Sequence, residues 1–343
     1  MFTFFRKKKR AQGMNAIVLS EDGIAQASVT QTPGQPATLV SFNYAEIENK
    51  AETASALKHF INENHLQDVP VVTTLLTNES SLVMLDKPAV ADDELRQAVR
   101  WRVKDNLPFD INSAIIDVFE IPGQKERGRI PLVYVTAADK NFIKQRIQLF
   151  EEQGLELESI DIAELVMRNI ASLLAEDQNG VALLKLDASQ GLITLIQDSA
   201  LYLARSLDVG YASLATTTSA LEGGLEEGMS LEGMSPDQQR ALDAIVLEVQ
   251  RSLDYYESHF AKPAITSLVI APLPYEVPGM IQYLAGALGL QVRMLDLNAV
   301  LDSAKPMSEE MQAKCFFAIG AALREPAHVS ALQKQAGDKG KAA

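Results

Sequence analysis

The chain has 343 residues, 47% hydrophobic and 22% charged, the composition of a globular protein long enough for two core-bearing units. Its net charge of −14, from 31 Lys and Arg against 45 Asp and Glu, argues against a nucleic-acid binder. One cysteine, Cys315 in the apolar run CFFAIGAAL, excludes an internal disulfide and predicts a buried thiol in a reducing compartment.

In chain order, the first ten residues, MFTFFRKKKR, carry three aromatics and five cations with no acid. They read either as an arm at a lipid surface, with Phe2, Phe4 and Phe5 dipping in and Arg6, Lys7, Lys8, Lys9 and Arg10 meeting anionic headgroups, or as a solubilising tail. Each cation at such a surface contributes about 1 kcal/mol. No run reaches the roughly 18 apolar residues of a spanning helix, and no apolar leader is evident, so a cytoplasmic protein is predicted.

NAIVLS (15–20) and IAQASV (24–29) predict a hairpin turned at Asp22-Gly23. A helix over 51–65 follows, then VPVVTTLL (69–76), a near-continuous apolar run suited to a buried central strand, and the short strand LVML (82–85). Asp92 to Asn106 reads as one helix, with acids in its first turn and Leu95, Ala98, Val99 and Val103 as its buried stripe. Strands at 114–121 and 130–138 flank an exposed loop, QKERGR, and a helix over 139–153 ends at Gly154. LELESIDI gives a strand, and a helix spans about 163–175.

The second half opens with VALLKLDA (181–188), GLITLIQDS (191–199) and ALYLARSLD (200–208), a hairpin and a third strand, then a helix at about 211–221 and an acidic, Gly-rich loop, 222–234. Ser235 and Pro236 fit the N-cap and first position of a long helix whose apolar residues keep helical spacing through Tyr256. Next come a strand from Ser267, a proline-bearing loop, an amphipathic helix from Met280, VRMLDL, a final helix at about 308–325 and a disordered tail. Each half thus begins with a hairpin and a third strand and ends in helices. Two such blocks facing a cleft describe an actin/hexokinase-type α/β architecture.

Two stretches carry a family resemblance. LDKPAVADDELRQAVRWRVKDNLPFDINSAIIDVFEIP (85–122) and EVQRSLDYYESHFAKPAITSLVIAPLPYEVPGMIQYLAGALGLQV (248–292) resemble the PilM family of type IV pilus assembly proteins, and within it the MshI branch of MSHA pili. GLELESIDIAELVMRN (154–169) and FFAIGAALRE (316–325) are shorter echoes. The resemblance implies an α/β, actin-like (FtsA/PilM-type) two-lobed ATPase fold with an inserted small subdomain. Its expected layout is an arm at 1–12, a first lobe at 13–87 and 156–180, the inserted subdomain at 88–155, a second lobe at 181–325 containing its own small subdomain at about 211–263, and a tail at 326–343. It further implies a cytoplasmic protein, peripheral to the inner membrane, that grips the cytoplasmic peptide of a PilN-like membrane partner, with the pilus assembly ATPase and the membrane surface as further contacts.

An actin-like nucleotide site needs two phosphate hairpins and a glycine-rich adenosine loop, and the matching stretches here are eroded. In VLSEDGIA, Val18 stands for the family's acid, Ser20 for its glycine and Ala25 for its lysine. In LDASQGLIT, Asp187 is kept, Ser189 replaces a glycine and Thr194 is displaced by one. In APLPYEVPG, Pro272 and Pro274 fix φ and remove donors, leaving Gly279. These changes oppose phosphate contact and predict a pseudo-ATPase with neither ATP nor magnesium bound. Asp187 reads as a metal ligand or, alternatively, as a side chain engaged in its own turn. His59, His65, His259 and His328 are too dispersed in sequence for a metal cluster.

The only tryptophan, Trp101, lies about 120° around the 92–106 helix from the Leu95 stripe, near Arg100 and Lys104. It reads as a binding hot spot or as a wedge under residues 106–111. The family's peptide groove borders this region, with Leu107, Pro108 and Phe109 as groove wall or helix stop. The expected function is a non-catalytic adaptor. An ATP-binding switch and an FtsA-like, membrane-anchored polymerising protein are the alternatives.

Overall fold

The computed structural model describes residues 13–32, 34–47, 49–122, 124, 130–215, 234–260 and 262–324. The arm at Phe2 to Arg10, loop residues 125–129 and 216–233, His328 and the C-terminal tail lie outside the described residues. In chain order the first block runs β1 (Gly13–Leu19), β2 (Gly23–Thr30), β3 (Thr38–Glu46), α1 (Thr53–Glu63) and β4 (Pro70–Leu75). An excursion follows: β5 (Ser81–Asp86), α2 (Leu95–Arg100), β6 (Ala114–Glu120), β7 (Leu132–Asp139) and α3 (Lys140–Glu152). The block closes with β8 (Glu156–Ile162) and α4 (Ala163–Ala171). The second block runs β9 (Val181–Leu186), β10 (Gly191–Gln197), β11 (Ala200–Leu207), α5 (Pro236–Phe260), β12 (Ser267–Ile270), α6 (Met280–Leu288) and β13 (Gln291–Met294), followed by β14 (Asp302–Ser303) and α7 (Glu309–Ala322).

The blocks repeat one topology. The first sheet has the order β14-β3-β2-β1-β4-β8 and the second β11-β10-β9-β12-β13. In each, an antiparallel three-strand meander is followed by two strands parallel to its first member. This duplicated arrangement is the actin-like α/β fold. The excursion forms a separate antiparallel sheet, β5-β7-β6.

Strand alternation explains the layering. On β1, Ala16 and Val18 join the core shared with α4, α7 and the second sheet, whereas Ile17 and Leu19 face the other way. There they pack with Leu57, Phe60 and Ile61 of α1 and Phe150 of α3. Helices α4 and α7 thus lie between the two sheets, and Gly320 of α7 lets them approach closely. A Cβ there would sit 2.5 Å from Val166 Cγ1 and 2.8 Å from the Val166 carbonyl oxygen. The Asn169 side-chain amide donates to the Gly320 carbonyl at 2.9 Å across the same contact.

Local start signals operate as the sequence suggests. Ser235 and Gln238 form a reciprocal capping box at α5, with the Gln238 N–H donating to Ser235 Oγ at 3.2 Å and the Ser235 N–H to Gln238 Oε1 at 2.9 Å. Three expectations need correction. The helix expected over 92–106 is regular only from Leu95 to Arg100; residues 104–106 form a 3₁₀ turn, with i→i+3 bonds from Arg102 to Val99 and Asn106 to Val103. The tightened path still buries Val103 beside Val99, and Pro108 holds Leu107 extended at φ −99° and ψ 139°, which ends the run. The helix expected at 211–221 is a single 3₁₀ turn, Tyr211–Leu214, pinned by main-chain bonds to Asp187 and Ala188; residues beyond 215 are outside the described set. Helix α4 stops at Ala171 rather than 175, where the chain tightens through Leu173 N to Ile170 O and Leu174 N to Ala171 O.

Gly320→Ala should therefore destabilise the protein by about 1–3 kcal/mol, because the added methyl meets backbone as well as side chain. Urea unfolding monitored by circular dichroism checks this, and an unchanged midpoint would contradict the close approach.

Candidate functional site

The three stretches expected to be nucleotide motifs come together around Tyr211. In the first hairpin the turn closes on itself. The Ser20 N–H donates to the Gly23 carbonyl at 2.9 Å, the Gly23 N–H donates to Ser20 Oγ at 3.1 Å, and Ser20 Oγ–H donates to Asp22 Oδ1 at 2.5 Å. The Tyr44 hydroxyl donates to the Asp22 carbonyl at 3.0 Å and fills the space that a Cβ on Gly23 would need. Val18 and Ala25 are cross-strand partners, both buried in the core.

The second hairpin holds a buried cation that none of the nucleotide-motif positions includes. Lys185 is 4% exposed, and its ammonium donates to Asp187 Oδ1 at 3.0 Å and to the Leu186 carbonyl at 2.9 Å. The Phe316 and Phe317 rings of α7 stand 5.9 Å from it. The Asp187 carboxylate is thus held by a cation of its own strand rather than by its own turn. A lysine inside the otherwise apolar run VALLKL was the available sequence signal, since lysine is almost never fully buried without a partner. Ser189 is exposed, and Thr194 is buried inside β10 with its hydroxyl donating to the Leu183 carbonyl.

The third stretch seals the cleft from the far side. Pro272 is buried and Pro274 half-buried, and Gly279 adopts φ 79° ahead of α6. Tyr275 packs edge-on against Tyr211 with ring centroids 5.6 Å apart, and its hydroxyl donates to the Tyr211 carbonyl at 2.5 Å. Gly210 brings the Tyr211 turn against the second hairpin; a Cβ on it would lie 2.4 Å from the Ala188 and Asp187 carbonyl oxygens. Burial, then Asp22 and Asp187, push the Tyr211 hydroxyl above its ordinary pKa. The remaining cation here, Lys314, lies over the Tyr44 ring at 4.5 Å, 2.9 Å from Glu310 and 3.6 Å from Glu46. Burial pushes the neighbouring Cys315 thiol up to about 12, so it is inert at neutral pH.

The residues expected to meet a partner divide into two groups. Trp101 is 63% exposed, which rules out the wedge under residues 106–111, and Lys104 and Pro108 are exposed as well. Arg100 is engaged inside its own subdomain, donating to the Ile111 and Ala114 carbonyls. Leu107 and Phe109 are half-buried against the Leu95, Val99 and Val103 cluster. Trp101→Ala should therefore change stability by no more than about 0.5 kcal/mol, while Arg100→Ala costs about 1–3 kcal/mol by orphaning two carbonyls. Paired thermal melts distinguish the two, and equal losses would contradict this division.

A concavity lies elsewhere, between the excursion and the main body. It encloses about 460 Å³ between residues 81–84 of β5 and residues 204–206 of β11, with Glu164 of α4 in its wall. Both strands are sheet edges: among the described residues β5 pairs only with β7 and β11 only with β10. Phe119 and Tyr134 of the small sheet pack on each other, and the Tyr134 hydroxyl donates to the Tyr202 carbonyl of β11 at 3.1 Å, which fixes the two edges relative to each other. Glu164 is 5% exposed and its Oε2 has no hydrogen-bond partner. Burial, and secondarily Asp161, raise its pKa from 4.5 to about 7. Nothing in the sequence marked Glu164, an ordinary acid near the start of a helix.

Because the folded state holds this proton more tightly than the unfolded chain, the stability tied to it is full below pH 4.5 and is lost as pH rises through 7. Glu164→Gln should melt close to the wild type at pH 4 and clearly above it at pH 8, by at most about 3 kcal/mol. Melting curves across that range check this, and a variant less stable at pH 8 would contradict it.

A family model described as type IV pilus assembly protein PilM matches residues 41–326, well over half of the chain. Among solved structures, a PilM-PilN type IV pilus biogenesis complex superposes with a TM-score of 0.72 at 18% identity, covering 92% of this chain and 100% of that one. A Bacteroides thetaiotaomicron protein with an actin-like ATPase fold gives a TM-score of 0.49 at 12% identity, over 89% of this chain and 96% of that one. The cytoplasmic domain of EpsL, an inner membrane component of the Vibrio cholerae type II secretion system, gives 0.46 at 12% identity, over 91% and 96%. The search of curated proteins returns no match. With the family model matching from within β3 to beyond α7, well over half of the sequence, the chain belongs to the type IV pilus assembly protein PilM family.

Proposed function

We propose that this PilM-family protein is a non-catalytic adaptor of the inner-membrane assembly platform of an MSHA-type pilus. In this reading it holds the N-terminal cytoplasmic segment of a PilN-like membrane protein in the groove between β5 and β11. The observation that carries the reading is the pair of sheet edges facing one concavity, a geometry suited to an extended peptide, which can hydrogen-bond to an open edge. The similar PilM structure was solved as a complex with PilN. Assignment to the MshI branch rests on the stretches at 85–122 and 248–292. The protein would work at the cytoplasmic face of the inner membrane; among the described residues no helix is long and apolar enough to cross it.

The cleft does not fit a magnesium triphosphate. The Ser20 and Gly23 amides are bonded within their own turn, and Asp187 is neutralised by Lys185. Lys314 is paired with Glu310 and Glu46, while Glu21 and Asp22 are exposed acids at the same hairpin. A triphosphate would bring negative charge to a site whose nearby cations are already paired. This supports a scaffold reading over an ATPase.

Two calorimetric titrations test the proposal. Magnesium ATP at millimolar concentration should give no binding heat in a chain that melts sharply; saturation at micromolar nucleotide would make the protein a nucleotide-dependent switch. The N-terminal cytoplasmic peptide of the cognate PilN-like protein should bind, and Ala204→Arg, which fills the groove, should abolish that binding. A peptide that binds the variant as well as the wild type would place the partner site elsewhere.

A further inference from the structure

We propose that Glu164 is the residue by which the groove selects its peptide, receiving the cationic side chain of a lysine or arginine on an extended segment laid along β5. The inference rests on the reading of this groove as the partner site and assigns it a chemistry.

A carboxylate that is 5% exposed, with an oxygen lacking any hydrogen-bond partner, is an expensive feature for a fold to keep. An apolar side chain such as methionine would pack at this position without that cost, so stability alone does not account for the acid. The surrounding charged and titratable groups leave it uncompensated. Asp161 of β8 is held by Arg324 at 3.0 Å, and Arg168, on α4 itself, donates to Asn169 at 2.7 Å. Arg205 of β11 shares the groove but lies over the Tyr255 ring of α5, 5.5 Å from its centroid, and forms no ion pair with Glu164. The Tyr134 hydroxyl of β7 is directed to the Tyr202 carbonyl.

A cation entering the groove supplies the missing partner. Main-chain bonding to the open edge of β5 would fix the segment, and its alternate side chains would then face α4, where Glu164 sits at the first turn. The net charge of −14 favours approach of a basic segment at long range. Since the free carboxyl titrates near pH 7, a bound cation holds it ionised, and binding releases a proton below that pH.

The test uses the full-length chain and the cognate PilN-like N-terminal peptide, together with copies in which each Lys or Arg is changed singly to Gln. Wild-type affinity should rise about tenfold from pH 6 to pH 8, and Glu164→Gln should remove that rise. At pH 8, Glu164→Gln should weaken binding roughly ten- to hundredfold. Neutralising one particular basic residue of the peptide should weaken wild-type binding by a similar factor and leave the variant unaffected. The peptide series keeps the protein unchanged, so it does not depend on how well the variant folds. If Glu164→Gln binds like the wild type, or if every neutralised peptide loses equally against both proteins, the role of Glu164 is overturned. In either case, loss of binding in Ala204→Arg would leave the groove reading standing. If Ala204→Arg binds normally, the peptide lies elsewhere and both readings fall together.

Discussion

The contact between α4 and α7 is the constraint on which the rest of the molecule depends. Each helix is buried between two sheets, and at Gly320 their backbones come closer than any side chain on α7 would allow. That single approach sets the spacing of the lobes. It also fixes what each helix presents at its ends: α4 delivers Glu164 to the groove from its first turn, and α7 delivers Lys314 and Phe316–Phe317 to the cleft. A shift of one helix against the other would disturb both sites at once.

The two concavities are chemically opposite. In the cleft the groups nearest Tyr211 have internal partners: Asp187 with Lys185, Tyr275 with the Tyr211 carbonyl, Tyr44 with the Asp22 carbonyl, Lys314 with Glu310. Such a network stiffens the junction between hairpins that, in a nucleotide-binding relative, a ligand would bridge. The groove, in contrast, keeps two open sheet edges and a buried carboxylate with an unmet hydrogen bond. That difference in satisfaction, rather than size, is what supports reading the groove, and not the cleft, as the partner site.

Much of the fold was legible because it rests on local signals. Alternation in NAIVLS and the Asp22-Gly23 turn gave the first hairpin, and Ser235-Pro236 gave the start of α5. The strand Thr38–Glu46 was not located, since its polar and aromatic residues are mostly half-buried and show no clean apolar face. The 92–106 helix was overextended because Val103 keeps helical spacing, while i→i+3 bonding and the restriction before Pro108 had already tightened the chain. At the cleft, the motif substitutions were readable one by one. The internal ion pair that replaces them was not, because Lys185 is only meaningful once Phe316 and Phe317 are known to enclose it.

The sequence by itself determined the α/β alternation, the duplicated hairpin-led blocks and the acidic net charge, all of which depend on residue type and short-range spacing. Only the tertiary structure decided which residues share a groove. Thr77, Asn106, Glu164 and Arg205 line one groove although they come from distant segments of the chain. Whether Glu164 is an ordinary surface acid or a buried one depends on how α4 packs beneath the groove. Burial and an Oε2 atom without a hydrogen-bond partner are properties of the packed molecule, and no local pattern in the chain encodes them.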